Sequence, residues 1–464
     1  MVKIKHKAAL TVGGVAVFLI AAIIGGYTYY RSTHFNKNVQ INGISVGGLN
    51  EKSALAHLKS EKIDNNVYLN GKLFLKGKKT SSGFTQKDLS KIKQILKKQW
   101  SFFPKTEKVS YQITPSNVSS YRNNVIKQKL KQLLNDKNSK LTAAVDAHAV
   151  LQYGKITYTA SKRGNQYDVA KILAAYDKQK NQPTTDIKKS IIQPVTSSSS
   201  QVKKQRTKLV ALAKRTVVYK VQQTSYTLAG KDIINQATYI GGKYQIAQDG
   251  ILNEVKNINN KQATLQKGIS FKTHAGNTVD VPGGTYGWAL KSSDSYETIS
   301  AAFINNSGEV DAASDIYGVG YLTYGTGYDN LTNDGIGTTY AEVSIQDQRA
   351  WFYVDGKEVY TTNIVTGKHS TNEDTPTGVW YIMYKQSPAT LEGSESGNAN
   401  YSVKVNYWAQ FTSTGCGFHD ASWRTDWSST AYLTNGSGGC ANTPSANMKS
   451  VYDSLSQKEA VVVY

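Results

Sequence analysis

The sequence predicts a multidomain fold: an N-terminal transmembrane helix, two α+β domains and a C-terminal, mainly β domain. Three observations support this prediction. An uncharged apolar run fills residues 8–26, lysine-rich helical patterns alternate with short strands up to about residue 325, and strand patterns with glycine turns begin at Thr338. The chain has 464 residues, which at roughly 100 to 200 residues per domain allows two to four domains.

The N-terminus combines positive charge with an apolar run. Three lysines precede the run, and Tyr27, Tyr29, Tyr30 and Arg31 follow it. A helix of about 20 apolar residues spans a bilayer, and tyrosines favour the membrane interface. We predict a cytoplasmic basic tail at residues 1–7, a transmembrane anchor at residues 8–30, and the remaining chain outside the cell as a single-pass membrane protein. A cleaved signal peptide is the alternative, although its apolar segment usually has about 7 to 15 residues.

Charge is unevenly distributed along the chain. The total is +22, but residues 338–464 contain 8 Lys+Arg and 12 Asp+Glu, so the preceding residues carry +26. Outside a membrane, the polyanions within reach of a basic domain are lipid headgroups and anionic wall polymers, not nucleic acid. A solvated lysine-rich surface without a specific partner explains the same charge, and the sequence leaves both explanations open.

Two regions between the anchor and the C-terminal domain have mixed helix and strand patterns. The first occupies residues 35–195 and the second residues 207–325. In the first, Asn50 is placed to cap a helix after a short strand. Apolar residues share one face of that helix: Ala54, Leu55 and Leu58. The polar residues 196–206 between the two regions are predicted to form a linker or the lead-in to a helix.

A sequence pattern occurs once in each of these regions. ITYTASKRGNQYDV begins at Ile156 and ISFKTHAGNTVDV begins at Ile269, and both end in Gly-Asn-x-x-Asp-Val. Each pattern predicts a strand, a turn, and then a helix or strand that opens at an Asp. The repetition predicts a duplicated domain.

The C-terminal residues 338–464 are predicted to form a mostly β domain, and this domain contains both cysteines of the chain. Asp355-Gly356 breaks an alternating apolar and polar stretch, which is a strong hairpin signal. A cysteine nucleophile needs a base and amide donors for the oxyanion. His419 lies 21 residues before Cys440 and is a candidate base. The alternative is a Cys416–Cys440 disulfide, which is common in exported chains and would block the nucleophile.

Four stretches of residues 338–464 together form a recognisable pattern: AEVSIQDQRAWFYVDGKEV, VTGKHSTNEDTPTGVWYI, GFHD and GSGGCANTP. With these stretches, the segment resembles the L,D-transpeptidase catalytic domain, the YkuD-like family. The resemblance implies that Cys440 is the nucleophile and His419 is its base. Ser437 and Asn442 match the motif positions three residues before and two residues after the nucleophile.

The other candidate site residues lie close to these in sequence. Ser437 is a candidate for orienting the base, with a turn role as the alternative. Backbone N–H groups of Gly439 and Cys440 are candidates for the oxyanion hole. Trp423 and Trp427 are candidates for lining the substrate cleft, with core packing as the alternative, and Asn442 is a further candidate for binding the substrate. Neither a cofactor nor a metal is expected, because the seven histidines of the chain are scattered.

One position departs from the family pattern. Gly438 stands where the family usually has a second histidine before the Gly-Cys pair. If that histidine only supports the site, activity survives in an altered form. If it activates the thiol, this chain is a slow or inactive homologue.

The resemblance implies a cysteine-dependent L,D-transpeptidase. Such an enzyme forms 3-3 cross-links between peptidoglycan stem peptides through a thioester acyl-enzyme and releases the terminal D-amino acid. The alternatives are an L,D-carboxypeptidase and a catalytically decayed, membrane-tethered wall-binding protein. A penicillin-binding type serine enzyme is disfavoured, because Ser90 to Lys93 fit its S-x-x-K motif but no K-T-G follows.

The rest of the chain also resembles members of this family. Three features are similar to the paired peptidoglycan-binding domains of membrane-anchored, Gram-positive members: the stretch FNKNVQINGISVGGLN, the repeated pattern and the stretch VPGGTYGWAL. The resemblance assigns that role to residues 35–195 and 207–325. It implies donor and acceptor stem peptides as partners, with anionic wall polymers and the membrane as further contacts, and places the catalytic domain in the cell wall zone.

Overall fold

The structure, a computed structural model, describes residues 3–321 and 323–464. Met1 and Val2 belong to the predicted cytoplasmic tail, and Leu322 belongs to the predicted second α+β region; these three lie outside the described residues.

The chain divides into two compact units. Unit 1 consists of Met1–Ala147 and Ala160–Ser197, and unit 2 consists of His148–Thr159 and Ser198–Tyr464. Residues 148–159, which fall inside the predicted first region, therefore group with unit 2. The C-terminal domain and the second predicted region group together in unit 2.

The N-terminal apolar helix is confirmed as α1 (Lys3–Thr33). Its segment Gly13–Thr33 is long and apolar enough to cross a membrane, with a mean hydropathy of 1.5. A signal sequence near an N-terminus has the same properties, so length and composition leave the membrane role of α1 a prediction.

Unit 1 combines short strands with four helices after α1. The helices are α2 (Glu51–Ser60), α3 (Leu89–Gln99), α4 (Lys127–Asn138) and α5 (Val169–Gln179). The strands are β1 (Val39–Ile41), β2 (Ile44–Ser45), β3 (Lys62–Ile63), β4 (Val67–Leu69), β5 (Lys72–Leu75), β6 (Thr80–Ser81), β7 (Val109–Tyr111) and β10 (Thr185–Ile187). They form sheets of order β2-β1-β7, β10-β4-β5 and β3-β6.

The predicted start of α2 is confirmed. The Asn50 side chain accepts a hydrogen bond of 2.8 Å from the Ser53 N–H, which satisfies one of the free donors at the helix start. The three apolar residues that share a face are all buried: Ala54, Leu55 and Leu58. This face packs with α3 and β1 in one hydrophobic core.

Unit 2 begins with small sheets and helices. The helices are α6 (Ser200–Ala213), α7 (Gly230–Ile233), α8 (Asp249–Gln262) and α9 (Ser292–Asn305). The strands are β8 (Ala149–Gln152), β9 (Lys155–Tyr158), β11 (Thr216–Val221), β12 (Thr224–Ala229), β13 (Gln236–Ile240), β14 (Lys243–Ile246), β15 (Ile269–Lys272), β16 (Thr278–Val281), β17 (Ala289–Leu290), β18 (Glu309–Asp311) and β19 (Ile316–Tyr317). Their sheet orders are β12-β11-β18, β14-β13-β8-β9, β15-β16 and β17-β19.

The two copies of the repeated pattern begin alike and end differently. Both open in a strand, β9 in the first copy and β15 in the second. In the first copy Asp168 caps α5, because its side chain accepts from the Lys171 N–H at 3.0 Å. In the second copy Asp280 lies inside β16 and faces Ser270 across the hairpin. The pattern thus contains a turn in the second copy, at residues 274–275, and an irregular connection in the first, and it does not fix the element that follows.

The C-terminal domain is mainly β, as predicted. Its strands are β20 (Tyr340–Ser344), β21 (Arg349–Val354), β22 (Lys357–Asn363), β23 (Gly378–Tyr381), β24 (Tyr384–Gln386), β25 (Ala389–Glu395), β26 (Asn398–Val405), β27 (Trp408–Gln410), β28 (Gly417–Asp420), β29 (Ala441–Thr443) and β30 (Ala460–Val463). Its helices are α10 (Ala431–Asn435) and α11 (Ser445–Ser454). The sheets have the orders β22-β21-β20-β30-β23 and β24-β27-β28-β29, and β25 and β26 form a separate hairpin.

The hairpin signal in this domain is also confirmed. Asp355 and Gly356 join β21 to β22 with φ angles of 48° and 77°. Positive φ at both central residues is the requirement of a type I′ turn, which matches the twist of the flanking strands.

The second predicted region and the C-terminal domain share a hydrophobic core. Phe271, Val281 and Tyr286 pack with Val379 and Val462. These contacts explain why both segments belong to unit 2.

Candidate active site

His419 lies in β28, between β27 and β29, and its side chain is 4% exposed. The imidazole Nδ1 lies 3.0 Å from the backbone oxygen of Asp420. A carbonyl oxygen only accepts hydrogen bonds, so Nδ1 carries the proton and Nε2 keeps its lone pair. This tautomer is the one that a general base requires.

The carboxylate of Asp420 has a different task. It accepts hydrogen bonds from the backbone N–H groups of Asn406 and Tyr407 and from the Asn406 side chain, at 2.8 to 3.1 Å. These bonds hold the connection between β26 and β27. Asp420 therefore orients His419 through its backbone oxygen. Its carboxylate holds Asn406 and Tyr407, which connect β26 to β27.

Asn442 lies beside His419, because β28 and β29 pair in parallel with these two residues in register. The amide orientation that satisfies both neighbours has the Asn442 nitrogen donating to His419 Nε2 at 3.0 Å. Its oxygen then accepts from Arg424 Nη2 and Nε at 3.2 and 3.1 Å. Asn442 thus links His419 Nε2 to the guanidinium group of Arg424. Sequence reasoning did not identify Arg424 as a site residue.

The surroundings of His419 favour its neutral form. Burial lowers the pKa of His419 below its ordinary value of 6.5, and the Arg424 charge lowers it further, against an opposing effect of Asp420. The imidazole is therefore unprotonated at neutral pH and able to accept a proton.

Ser437 and Gly439 form the turn that precedes Cys440. Ser437 Oγ donates to the Cys440 backbone oxygen at 2.6 Å and accepts from the Gly439 N–H at 3.1 Å. Among the residues that the structure describes, Ser437 makes no hydrogen bond to His419. Both Ser437 bonds lie within the turn, and the Gly439 N–H, a predicted oxyanion donor, is engaged there as well.

Gly439 is required at its position for two reasons. Its φ of +120° lies in the region that side chains rarely adopt, and a Cβ there would lie 2.9 Å from the Cys416 Sγ. Thr375, from the T-P-T-G stretch, holds the same turn: its hydroxyl donates to the Gly439 oxygen at 2.7 Å and accepts from the Gly367 N–H at 3.0 Å.

Cys416 and Cys440 are both free thiols, so the structure contains no disulfide between them. Burial raises the pKa of Cys440 to about 12, and the nearby Cys416 and Glu395 raise it further, while the Gly417 N–H opposes the shift. Burial also raises the pKa of Cys416. Cys440 is therefore a neutral thiol at rest.

Among the described residues, no hydrogen bond joins the Cys440 thiol to His419. The Sγ atom lies 3.6 Å from the Gly415 oxygen, and the His419 Nε2 has the Asn442 amide as its partner. Cys440 lies directly before β29, and Asn442, two residues later in that strand, is in register with His419 in β28.

The predicted cleft tryptophans differ in their positions. Trp423 is half exposed and stacks on His419, with ring centroids 5.8 Å apart and an interplanar angle of 25°. Trp427 makes no ring contact or hydrogen bond with His419 or Cys440 within the described parts of the chain. Trp408, which is buried, also contacts the imidazole, at a centroid distance of 5.9 Å.

The β25–β26 hairpin borders the thiol. Cys440 packs against the base of this hairpin, at Ala389 and Val405. Near its tip, Glu395 lies over Gly438: a Cβ built on Gly438 would be 3.0 Å from the Glu395 Cβ and 3.2 Å from its Oε2. The Glu395 side chain thus borders the space that a side chain at position 438 would occupy.

A cavity of about 490 Å³ elsewhere in unit 2 contains none of these residues. It is lined by Tyr286, Asn330, Glu459 and neighbouring residues, and its lining includes neither a cysteine nor a histidine. We locate the candidate chemistry at Cys440 because reactive groups, not volume, define a site for covalent catalysis.

Comparisons with known proteins identify the family of the C-terminal domain. Residues 338–463 match the family model of the L,D-transpeptidase catalytic domain, YkuD. The Ldtfm–avibactam carbamoyl enzyme is 30% identical over 56% of this chain and 98% of that chain, with a TM-score of 0.46. The catalytic domain of the E. faecium L,D-transpeptidase is 39% identical over 27% of this chain and 96% of that chain, with a TM-score of 0.25.

A third structure is the catalytic domain of the E. faecium L,D-transpeptidase acylated by ertapenem. It is 38% identical over 27% of this chain and 97% of its own chain, with a TM-score of 0.26. No curated protein matches the sequence. From the family model and these sequence identities, the chain belongs to the L,D-transpeptidase family, with its YkuD catalytic domain at residues 338–463.

The raised pKa of Cys440 predicts a distinctive pH dependence of its alkylation. Only the thiolate reacts with iodoacetamide, so the rate should rise about tenfold per pH unit from pH 7 to 10 without levelling off, whereas an ordinary thiol levels off above about pH 8.5. Peptide mapping by mass spectrometry measures the rate at Cys440, and free cysteine serves as the control. A plateau near pH 7 would show a thiolate–imidazolium pair at rest.

The contact between Glu395 and Gly438 predicts the result of restoring the family histidine. Gly438→His should lower the free energy of unfolding by about 1–3 kcal/mol, because the added side chain meets Glu395. The melting temperature measures this effect. Glu395→Gly should restore stability in the Gly438→His background, and Glu395→Ala should restore less because it keeps the Cβ. Equal stability of Gly438→His and the parent would refute the contact.

Proposed function

We propose that this protein is a cysteine-dependent L,D-transpeptidase that forms 3-3 cross-links between peptidoglycan stem peptides. The proposal rests mainly on one observation: a neutral, buried His419 lies in β28, which pairs with the strand that directly follows Cys440, and its unprotonated Nε2 accepts a hydrogen bond from the Asn442 amide. Membership of the L,D-transpeptidase family supports the same reaction class.

The first half of the reaction forms a thioester. Cys440 Sγ attacks the carbonyl carbon between the third and fourth residues of a donor stem, and His419 Nε2 accepts the thiol proton as the S–C bond forms. The C–N bond then breaks, and His419 gives its proton to the departing amine of the terminal D-amino acid. Because the pKa of Cys440 is about 12, proton transfer accompanies attack, and no stored thiolate is needed.

The second half transfers the acyl group. A side-chain amine of an acceptor stem attacks the thioester carbon, His419 accepts a proton from that amine, and Cys440 leaves and is reprotonated. The Cys440 N–H is the backbone donor we assign to the oxyanion, and one such donor is worth about 2.7–4 kcal/mol of transition-state stabilisation. If water replaces the amine, the same site acts as an L,D-carboxypeptidase.

Residues outside the reaction centre have positioning roles in this proposal. Asn442 and Arg424 hold the imidazole plane, and Trp423 covers its exposed side. We further propose that α1 anchors the protein in the cell membrane, with the catalytic domain outside the cell, and that residues 35–195 and 207–325 contact peptidoglycan.

A catalytically decayed wall-binding protein is the second candidate. The observation that favours it is that no hydrogen bond joins the Cys440 thiol to His419 among the described residues, together with Gly438 in place of the family histidine.

Acylation by a carbapenem separates the two candidates. Ertapenem is the first probe, since it acylates the catalytic domain of a relative. Intact-mass spectrometry of the full chain should show one covalent adduct per protein, and peptide mapping should place it on Cys440. A chain that stays unmodified under conditions that label an active relative would favour the decayed wall-binding protein.

A further inference from the structure

Aromatic side chains are exposed in a short loop of unit 1 that follows α3. The loop spans Trp100 to Lys105, and Trp100, Phe102 and Phe103 are 46%, 38% and 75% exposed. Three exposed aromatic residues within four positions are an unusual surface for a soluble domain, because each leaves apolar area in water.

This loop lies beside the end of α1. The Phe102 ring contacts the Tyr27 ring edge-on, with centroids 5.6 Å apart, and Phe103 packs edge-on against Phe102 at 5.1 Å. Tyr29 and Tyr30 of the same helix end are also exposed. Tyr27, Phe102 and Phe103 therefore form one continuous aromatic surface, and Trp100, Tyr29 and Tyr30 are further exposed aromatic residues on the same two segments.

A buried polar network fixes the loop to the helix. The Arg31 guanidinium donates to the Ser101 backbone oxygen, with Nη2 and Nε at 3.2 and 3.4 Å, and to the Asn36 side chain. Asn36 in turn bonds the last residue of α3: its backbone N–H donates to Gln99 Oε1 and its side chain donates to the Gln99 oxygen, both at 2.9 Å. Arg31, Asn36 and Gln99 are all buried, so the position of the loop relative to α1 is defined.

Positive charge flanks the aromatic residues in the sequence. Three exposed lysines precede or follow them: Lys97, Lys98 and Lys105. Aromatic rings favour the boundary between hydrocarbon and headgroups, and lysines favour the anionic headgroups just outside it. Arg31 is four residues beyond Tyr27, about 6 Å along the helix, which is close to the thickness of the headgroup layer.

We infer that residues 100–105 form a second membrane contact, which lies in the outer headgroup region beside α1 and fixes the orientation of unit 1 on the lipid surface. The inference rests on the proposed anchoring by α1. Lipid is the occupant that we assign, because the aromatic surface is continuous with the segment Gly13–Thr33 that is long and apolar enough to span a membrane.

Site-directed spin labelling tests this inference. The full chain, with Cys416→Ala and Cys440→Ala to remove the native thiols, is reconstituted in phosphatidylcholine–phosphatidylglycerol vesicles. A label is placed at Phe103→Cys in the loop, at Ile20→Cys in α1, or at Leu73→Cys, which is a control in the same unit and is 54% exposed. Accessibility to oxygen and to a water-soluble nickel complex reports the depth of each label.

The outcomes distinguish the loop contact from the anchor. We expect the Phe103 label to lose nickel accessibility relative to the Leu73 label, and the Ile20 label to be the deepest. A Phe103 label as accessible as the Leu73 label, with Ile20 deep, would overturn the loop contact and leave the anchor intact. An accessible Ile20 label would overturn both. Spin–spin broadening at Phe103 without protection from nickel would assign the surface to a second copy of the chain and overturn the lipid assignment.

Discussion

Replacement of Cys440 by alanine is expected to reduce cross-linking activity by at least about 10⁴-fold, because Cys440 is the group that we propose forms the acyl-enzyme. Activity is measured as dimer formation from stem-peptide substrates, and the thermal unfolding midpoint confirms that the variant is folded. Cys440 is only partly buried and packs against the base of the β25–β26 hairpin, so the loss of one sulfur atom should leave the fold intact.

Cys416→Ala is the matched control. Cys416 is the other free thiol, is buried, and precedes β28, with its Sγ beside Gly439. Its replacement should retain most of the activity, since this thiol is buried and is not the nucleophile that we propose. The assignment of the nucleophile would be wrong if Cys440→Ala remained active, or if Cys416→Ala alone abolished acylation while folding normally.

The second large effect is expected at His419. His419→Gln should lower kcat by about 10²–10⁴-fold, which is the usual contribution of a general base. The neutral imidazole is the active form. Since burial lowers its pKa below 6.5, kcat/KM should stay level as the pH falls from 8 to 6.5 and decrease only at lower pH.

His369→Gln is the control for His419, because it removes the other histidine of the catalytic domain. His369 is exposed, and its Nδ1 lies 2.9 Å from Asp374. Its replacement should leave kcat and the pH profile unchanged. A fall in kcat/KM that already begins near pH 8 would contradict a buried neutral base, and an equal loss in both variants would indicate a general effect of losing a histidine.

Local sequence signals predicted the elements whose causes are local. Asn50 capped α2, Asp355-Gly356 formed the predicted turn, and alternation in residues 338–464 predicted the β domain, because each depends on neighbouring residues only. The separation of Cys440 and His419 by 21 residues suggested a pair, but only the parallel pairing of β28 with β29 shows that Asn442, two residues after Cys440, lies opposite His419.

The contacts that sequence reasoning missed all join distant segments. Arg424 bonds Asn442, Thr375 holds the turn before Cys440, and Glu395 lies over Gly438. None of these pairs has a spacing that a helix or strand period would reveal. The β8–β9 hairpin is a further case, because it pairs with β13, more than 80 residues later in the chain, and so joins unit 2.

The most direct test of the proposed function is product analysis with a disaccharide-tetrapeptide stem as the sole substrate. The full chain and its Cys440→Ala variant are incubated with this substrate, and products are sequenced by tandem mass spectrometry. The proposal predicts dimers joined between the third residues of two stems, one free D-amino acid per dimer, and neither product from Cys440→Ala. Tripeptide monomers without dimers would show hydrolysis in place of transfer, and dimers from Cys440→Ala would contradict the thioester mechanism itself.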